Sequence, residues 1–176
     1  MQDYFKRDYA RQWYSYGLDT KNDKIIKFIM HWIAFNWLYG EASGGSERDN
    51  IANYCAQHKV ELADYDAFNA PEIAVFLEKP VHDARSEHKY RPKQEGKRRD
   101  IRDEIFDVLV DEKAENSDRI AALLLTCYQV RCNLFHGQKR LCNARDVSLV
   151  ENSSVILEGY LNAVLNYNKR YRFGVK

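Results

Sequence analysis

Arg131 and His136 are the two side chains whose types and spacing could do chemistry. A guanidinium is always charged and grips oxyanions through paired N–H donors. An imidazole titrates near neutrality and can pass protons. Between residues 117 and 135, Ile120, Leu123, Leu124, Cys127, Tyr128, Leu134 and Phe135 recur at helical spacing. Arg131 falls on that same apolar stripe, about 20° round from Ile120. A charge taken out of water costs several kcal/mol unless it is paired, so Arg131 requires a carboxylate, a set of carbonyls or a ligand phosphate. A buried structural arginine meets the same description. His136 precedes Gly137, the glycine expected to end the helix in the left-handed conformation. Five residues advance a helix by about 140° and about 7.5 Å, so the two side chains do not converge on one rigid helix. Either the last turn unwinds at the glycine, or a second copy packs antiparallel across a two-fold axis and both pairs line one groove. The plain alternative is an exposed histidine that caps the last carbonyls.

The elements that must position this pair are helical throughout. Only three prolines and eight glycines interrupt 176 residues, and most lie between periodic segments. A short aromatic helix is predicted over about 3–16, stopped by Gly17, and a longer one from Asp19 or Thr20 as N-cap to Gly40. The second carries apolar residues on almost every face, the pattern of a helix surrounded by others. Ser46 and Asp49 form a capping box that starts a helix to about His58, and Pro71 opens a short helix through Leu77. Residues 79–96 hold two of the three prolines and no apolar periodicity, and read as an exposed loop or insertion. Helix resumes from about Lys97 to Val110, then from a Ser117 cap to Phe135. After a loop at Gly137–Asn143, a final helix runs from about Ala144 to Tyr171, with Leu149, Ile156, Tyr160, Val164 and Tyr167 on one stripe.

Length and composition suit one domain over 1–176, with a real core and no disulfide or metal staple. The formal net charge of +1 excludes a polyelectrolyte binder, so any nucleic-acid contact must come from a local patch. The charged start, Met1 to Asp8, has no apolar signal region, and the most apolar stretch, Ile25 to Tyr39, is too short and too polar to span a bilayer. A cytoplasmic protein without membrane contact is expected. The four cysteines lack the spacing of a disulfide scaffold and are expected as free thiols.

The run Tyr128-Gln129-Val130-Arg131-Cys132-Asn133-Leu134-Phe135-His136-Gly137 resembles the R-x4-6-H signature of HEPN domains, and its Apea-like branch in particular. A second run, Trp32-Ile33-Ala34-Phe35-Asn36-Trp37-Leu38-Tyr39-Gly40, is similar to the aromatic FNxLY-type helix near the front of such domains. The resemblance implies an HEPN-type helical bundle with a long C-terminal helix. It also implies a metal-independent endoribonuclease, working without cofactor as a homodimer on RNA, as a toxin or phage-defence effector with an antitoxin-type protein partner. In that reading His136 moves protons during attack by the RNA's own 2′-OH, and Arg131 stabilises charge on the phosphorane. A helix C-terminus is the negative end of its dipole, so further cations are needed, and Lys139 and Arg140 stand nearby. HEPN nucleases commonly place a polar residue directly after the arginine. Here Cys132 takes that place and Asn133 follows, which leaves open a non-catalytic HEPN module that binds nucleotide, RNA or a protein. A helical dimerisation domain without a ligand is the third reading.

Residues 79–102 contain nine basic against four acidic residues, with Tyr90, His82 and His88 among them. Such a mixture can track a phosphate backbone and stack a base, so Lys97, Arg98 and Arg99 are candidate RNA contacts, or a merely solvated loop. Asn36, among Ile29, Trp32, Ile33 and Tyr39, is expected to be buried, tying helices together or orienting Arg131. No cysteine–histidine spacing matches structural zinc, and no phosphate-binding glycine loop, nucleophile elbow or HExxH run occurs.

Overall fold

The computed structural model describes residues 2–20, 23–40, 45–63, 65–82, 100–136 and 143–165, with side chains from Lys6 onward. Among them every regular element is helical: α1 (Gln2–Asp19), α2 (Lys24–Tyr39), α3 (Glu47–Gln57), α4 (Lys59–Ala63), a 3-10 turn (Pro71–Ile73) leading into α5 (Ala74–Leu77), α6 (Ile101–Val110), α7 (Asn116–Phe135) and α8 (Ala144–Leu165). The chain is an all-α bundle with a long C-terminal helix. No described helix is long and apolar enough to cross a membrane.

α2 packs between α1 and α8, while α7 lies against α3, α4, α6 and α8. The core between them is aromatic. Phe35 is fully buried and meets Trp32, Tyr39, Tyr54 and Tyr160 edge-on, with centroids 4.9–5.9 Å apart. That geometry sets positive ring edges against negative faces and adds to the burial of apolar area. Two of the buried phenols bond each other, Tyr160 donating to Tyr54 Oη at 3.0 Å. The expected α8 stripe is present, with Leu149, Ile156, Tyr160 and Val164 all buried; Tyr167 lies outside the described residues.

Several ends differ from the sequence reading. The helix expected to stop at Gly17 continues to Asp19, because Gly17 serves a close approach and not a stop. A Cβ there would stand 2.7 Å from His31 Cδ2 and 2.8 Å from its Nε2. α2 is capped by Asp23, whose side chain accepts from the Ile25 and Ile26 N–H groups, and not by Asp19 or Thr20. α2 is also open on one side: Ile26 and Trp37 are exposed, the latter stacked on Tyr9. α6 begins at Ile101, since Asp100 takes the Arg102 N–H as N-cap. Ser117 is a buried first-turn residue of α7, whose N-cap position is held by Glu115 without a side-chain bond. The Ser46–Asp49 capping box is complete in both directions.

His31 makes the fold sensitive to acid. It is wholly buried, with Nδ1 3.3 Å from the Ser154 carbonyl of α8 and the Tyr14 ring 5.4 Å away. Burial pushes its pKa from 6.5 down to about 4, against the attraction of Glu158, which is itself paired with Lys27. The folded chain therefore keeps His31 neutral where the unfolded chain has already taken up a proton. This stabilising contribution is whole above about pH 6.5 and is lost as the pH falls towards about 4. It amounts to at most about 3 kcal/mol. Urea midpoints are expected to drop across that window in wild type and to flatten in His31→Leu; an equal slope in both would assign the acid sensitivity elsewhere.

Candidate functional site

Arg131 has the carboxylate its position requires. Its Nη1 donates to Glu47 Oε2 at 3.0 Å, and both side chains are partly buried, 28% and 29% exposed. Glu47 is the first residue of α3, delivered there by the Ser46 capping box immediately before it. Its other oxygen accepts from the Tyr39 hydroxyl at 2.7 Å. Burial first, and the Glu47 carboxylate next, hold the Tyr39 phenol far above its ordinary pKa, so it remains a donor. The guanidinium also lies over Phe135 (4.9 Å) and Trp32 (5.8 Å), which favours the cation on apolar faces. Its Nε is buried without a hydrogen-bond partner among the described residues.

His136 closes α7 as its C-cap, with its N–H on the Cys132 and Leu134 carbonyls. It is exposed and its imidazole has no hydrogen-bond partner among the described residues. α7 stays helical through Phe135, so the last turn does not unwind to bring the pair together within the chain. On the same helix Tyr128 and Cys132 are partly exposed, and Phe135 is 54% exposed. Cys132 is half-buried, while the Cys55 and Cys127 thiols are pushed up to about 12 by burial and stay protonated.

The other sequence candidates divide. Asn133 is buried and structural: it accepts from Gln129 Nε2 at 3.0 Å and donates to the His82 carbonyl at 2.8 Å, tying α7 to the 81–82 segment. His82 in turn meets Asp103 of α6 at 2.9 Å. Asn36 is exposed, contrary to expectation; Glu47, which also accepts from Tyr39, and not Asn36, holds Arg131. Lys97, Arg98, Arg99, Gly137, Lys139 and Arg140 lie outside the described residues. No group of three His, Cys, Asp or Glu side chains among the described residues could hold a metal ion.

Sequence reasoning missed Glu47, Arg48 and Gln129. The signal for Gln129 was present: Gln129 and Asn133 sit four residues apart on an otherwise apolar helix, the spacing of a buried amide pair. Glu47 carries no such mark, since its partner is 84 residues away. Neither a family model, nor a curated protein, nor a solved structure matches the chain.

Proposed function

We propose that the chain is a metal-independent endoribonuclease of HEPN type, in which two copies set Arg131 and His136 of each α7 end around one scissile phosphodiester. The observation that carries this reading is a guanidinium fixed by Glu47 and, at the end of the same helix, an exposed imidazole with no hydrogen-bond partner among the described residues. No described element joins them, and a second α7 across a two-fold axis would supply the missing half. Phosphorane charge then meets a preorganised cation, and proton transfer falls to the His136 imidazole. The basic segment with Lys97, Arg98 and Arg99, and Lys139 and Arg140 after α7, would grip flanking phosphates. A toxin or phage-defence role, held in check by an antitoxin-type protein, fits such an activity in the cytoplasm.

One contact favours a second reading. Glu47 neutralises Arg131, as it would in a non-catalytic HEPN module that binds RNA, nucleotide or a protein without cutting. Incubating the purified chain with mixed RNAs in EDTA separates the two. Products ending in a 2′,3′-cyclic phosphate are expected, from a particle that weighs two chains in light scattering. Uncut RNA, or cleavage abolished by EDTA and restored by metal, would count against the nuclease.

A further inference from the structure

α1 and α2 run antiparallel, with Tyr9 stacked on Trp37 at 4.7 Å near one end and Gly17 beside Met30 near the other, where a Cβ on the glycine would stand 3.3 Å from the Met30 Cβ. Their outer face is open to water. Tyr9, Trp13, Tyr16 and Trp37 are 36–63% exposed there, next to partly exposed Met30 and Ile33. Both helices carry this face at the three-four spacing of a coiled-coil seam: Tyr9, Trp13 and Tyr16 on α1, and Ile26, Met30, Ile33 and Trp37 on α2. Such a seam is filled by another helix, whose side chains enter between those of the stripe.

The α1 stripe is the same in both directions. Continued by one step each way it runs Lys6, Tyr9, Trp13, Tyr16, Thr20, polar at both ends and centred on Trp13. The contacts of Tyr9 with Trp37 and of Gly17 with Met30 put Trp13 level with Ile33, the middle of the α2 stripe. One two-fold axis across both helices at that level sets Tyr9 against the second copy's Tyr16, Trp13 against its own counterpart and Met30 against the second copy's Trp37. Every neighbouring helix is then antiparallel, as in an up-down four-helix bundle. An isologous contact needs this self-complementarity, which an unrelated partner has no reason to match. The area agrees. At about 200 Å² for each aromatic side chain, the four leave roughly 350 Å² in water. Met30, Ile33 and Ile26 bring that towards the roughly 450–500 Å² of apolar surface that each partner gives to a standard interface. Trp32, next to Ile33, lies 5.8 Å from the Arg131 guanidinium, so the same axis brings the two Arg131 groups to one level. We propose that the α1–α2 face is the surface through which two copies of this chain associate, with Trp13 at its centre. The contact stands without the ribonuclease reading, which only gives it a use.

Light scattering of the full chain across a dilution series is expected to show a two-chain particle that Trp13→Glu weakens by at least about thirtyfold, the loss of a central anchor. Tyr9→Glu and Tyr16→Lys separate loss of the contact from loss of the fold. Each alone is expected to weaken association, and an equal mixture to regain it, because the new carboxylate and the new ammonium then face each other across the axis. Chains that had failed to fold would not recover on mixing. Association of Trp13→Glu as tight as wild type, or a mixture no tighter than its two parts, would overturn the proposal. So would a wild-type chain that stays monomeric at micromolar concentration, including one whose tryptophan fluorescence shifts only with RNA or with lipid vesicles. RNA cleavage by the same variant keeps the two readings apart. A monomeric Trp13→Glu chain that cuts at the wild-type rate leaves the contact standing and removes the composite site; a dimeric one that cuts removes the contact and leaves the composite site.

Discussion

His136→Ala is expected to lower RNA cleavage by about 10²–10⁴-fold while leaving the melting temperature unchanged. The side chain is exposed and makes no hydrogen bond among the described residues, so the fold has nothing to lose with it. Arg131→Ala is expected to cost about 10²–10³-fold, the scale of removing one charge-stabilising donor, and also some stability, because Glu47 keeps only the Tyr39 hydroxyl. The two inactive chains offer a sharper test when mixed. If one arginine and one histidine from different protomers suffice at the shared cleft, half of the dimers in an equal mixture are mixed and keep such a pair. Up to about half of wild-type activity should return. A His136→Ala chain that cuts RNA as fast as wild type would remove the imidazole from the mechanism, and inactivity in the mixture would mean that each protomer must supply its own pair.

The second large effect is on the core that holds the site. Phe35→Ala is expected to cost about 3–5 kcal/mol, since the ring is fully buried and four aromatic neighbours would face the cavity. For a chain of this size that is a fall in melting temperature on the order of 10 °C. Tyr39 packs against that ring and bonds Glu47, so the damage should reach the site. Phe35→Leu, which keeps apolar volume, should recover much of the stability. Equal melting temperatures for Phe35→Ala and wild type would contradict the packing described.

Much of this architecture was legible in residue patterns because it is local. The Ser46–Asp49 box is written within four residues, and α7 and α8 announce themselves by a stripe repeated over several turns. The need of Arg131 for a partner, whether a carboxylate, carbonyls or a phosphate, was equally legible, since it follows from one cation on an apolar face. Which carboxylate answers was not, because Glu47 reaches it only through the tertiary fold. Asn36 shows the opposite failure. Periodicity reports which side of a helix is apolar, and α2 is apolar nearly all round, so its open edge depends on where α1 and α8 stop covering it. Gly17 was misread for a related reason: a glycine that ends a helix and one that admits a neighbour's ring look alike in a linear chain.

That glycine binds the histories of two positions together. No side chain can enter at Gly17 while the imidazole of His31 occupies the space, and the ring is pinned between Tyr14 and the Ser154 carbonyl. A methyl at one position becomes tolerable only after the other has shrunk, and a shrunken position 31 without the methyl leaves a void. The α1–α2 seam can therefore change by paired exchange far more readily than by single steps, and the acid sensitivity stored in His31 is inherited or discarded together with the glycine.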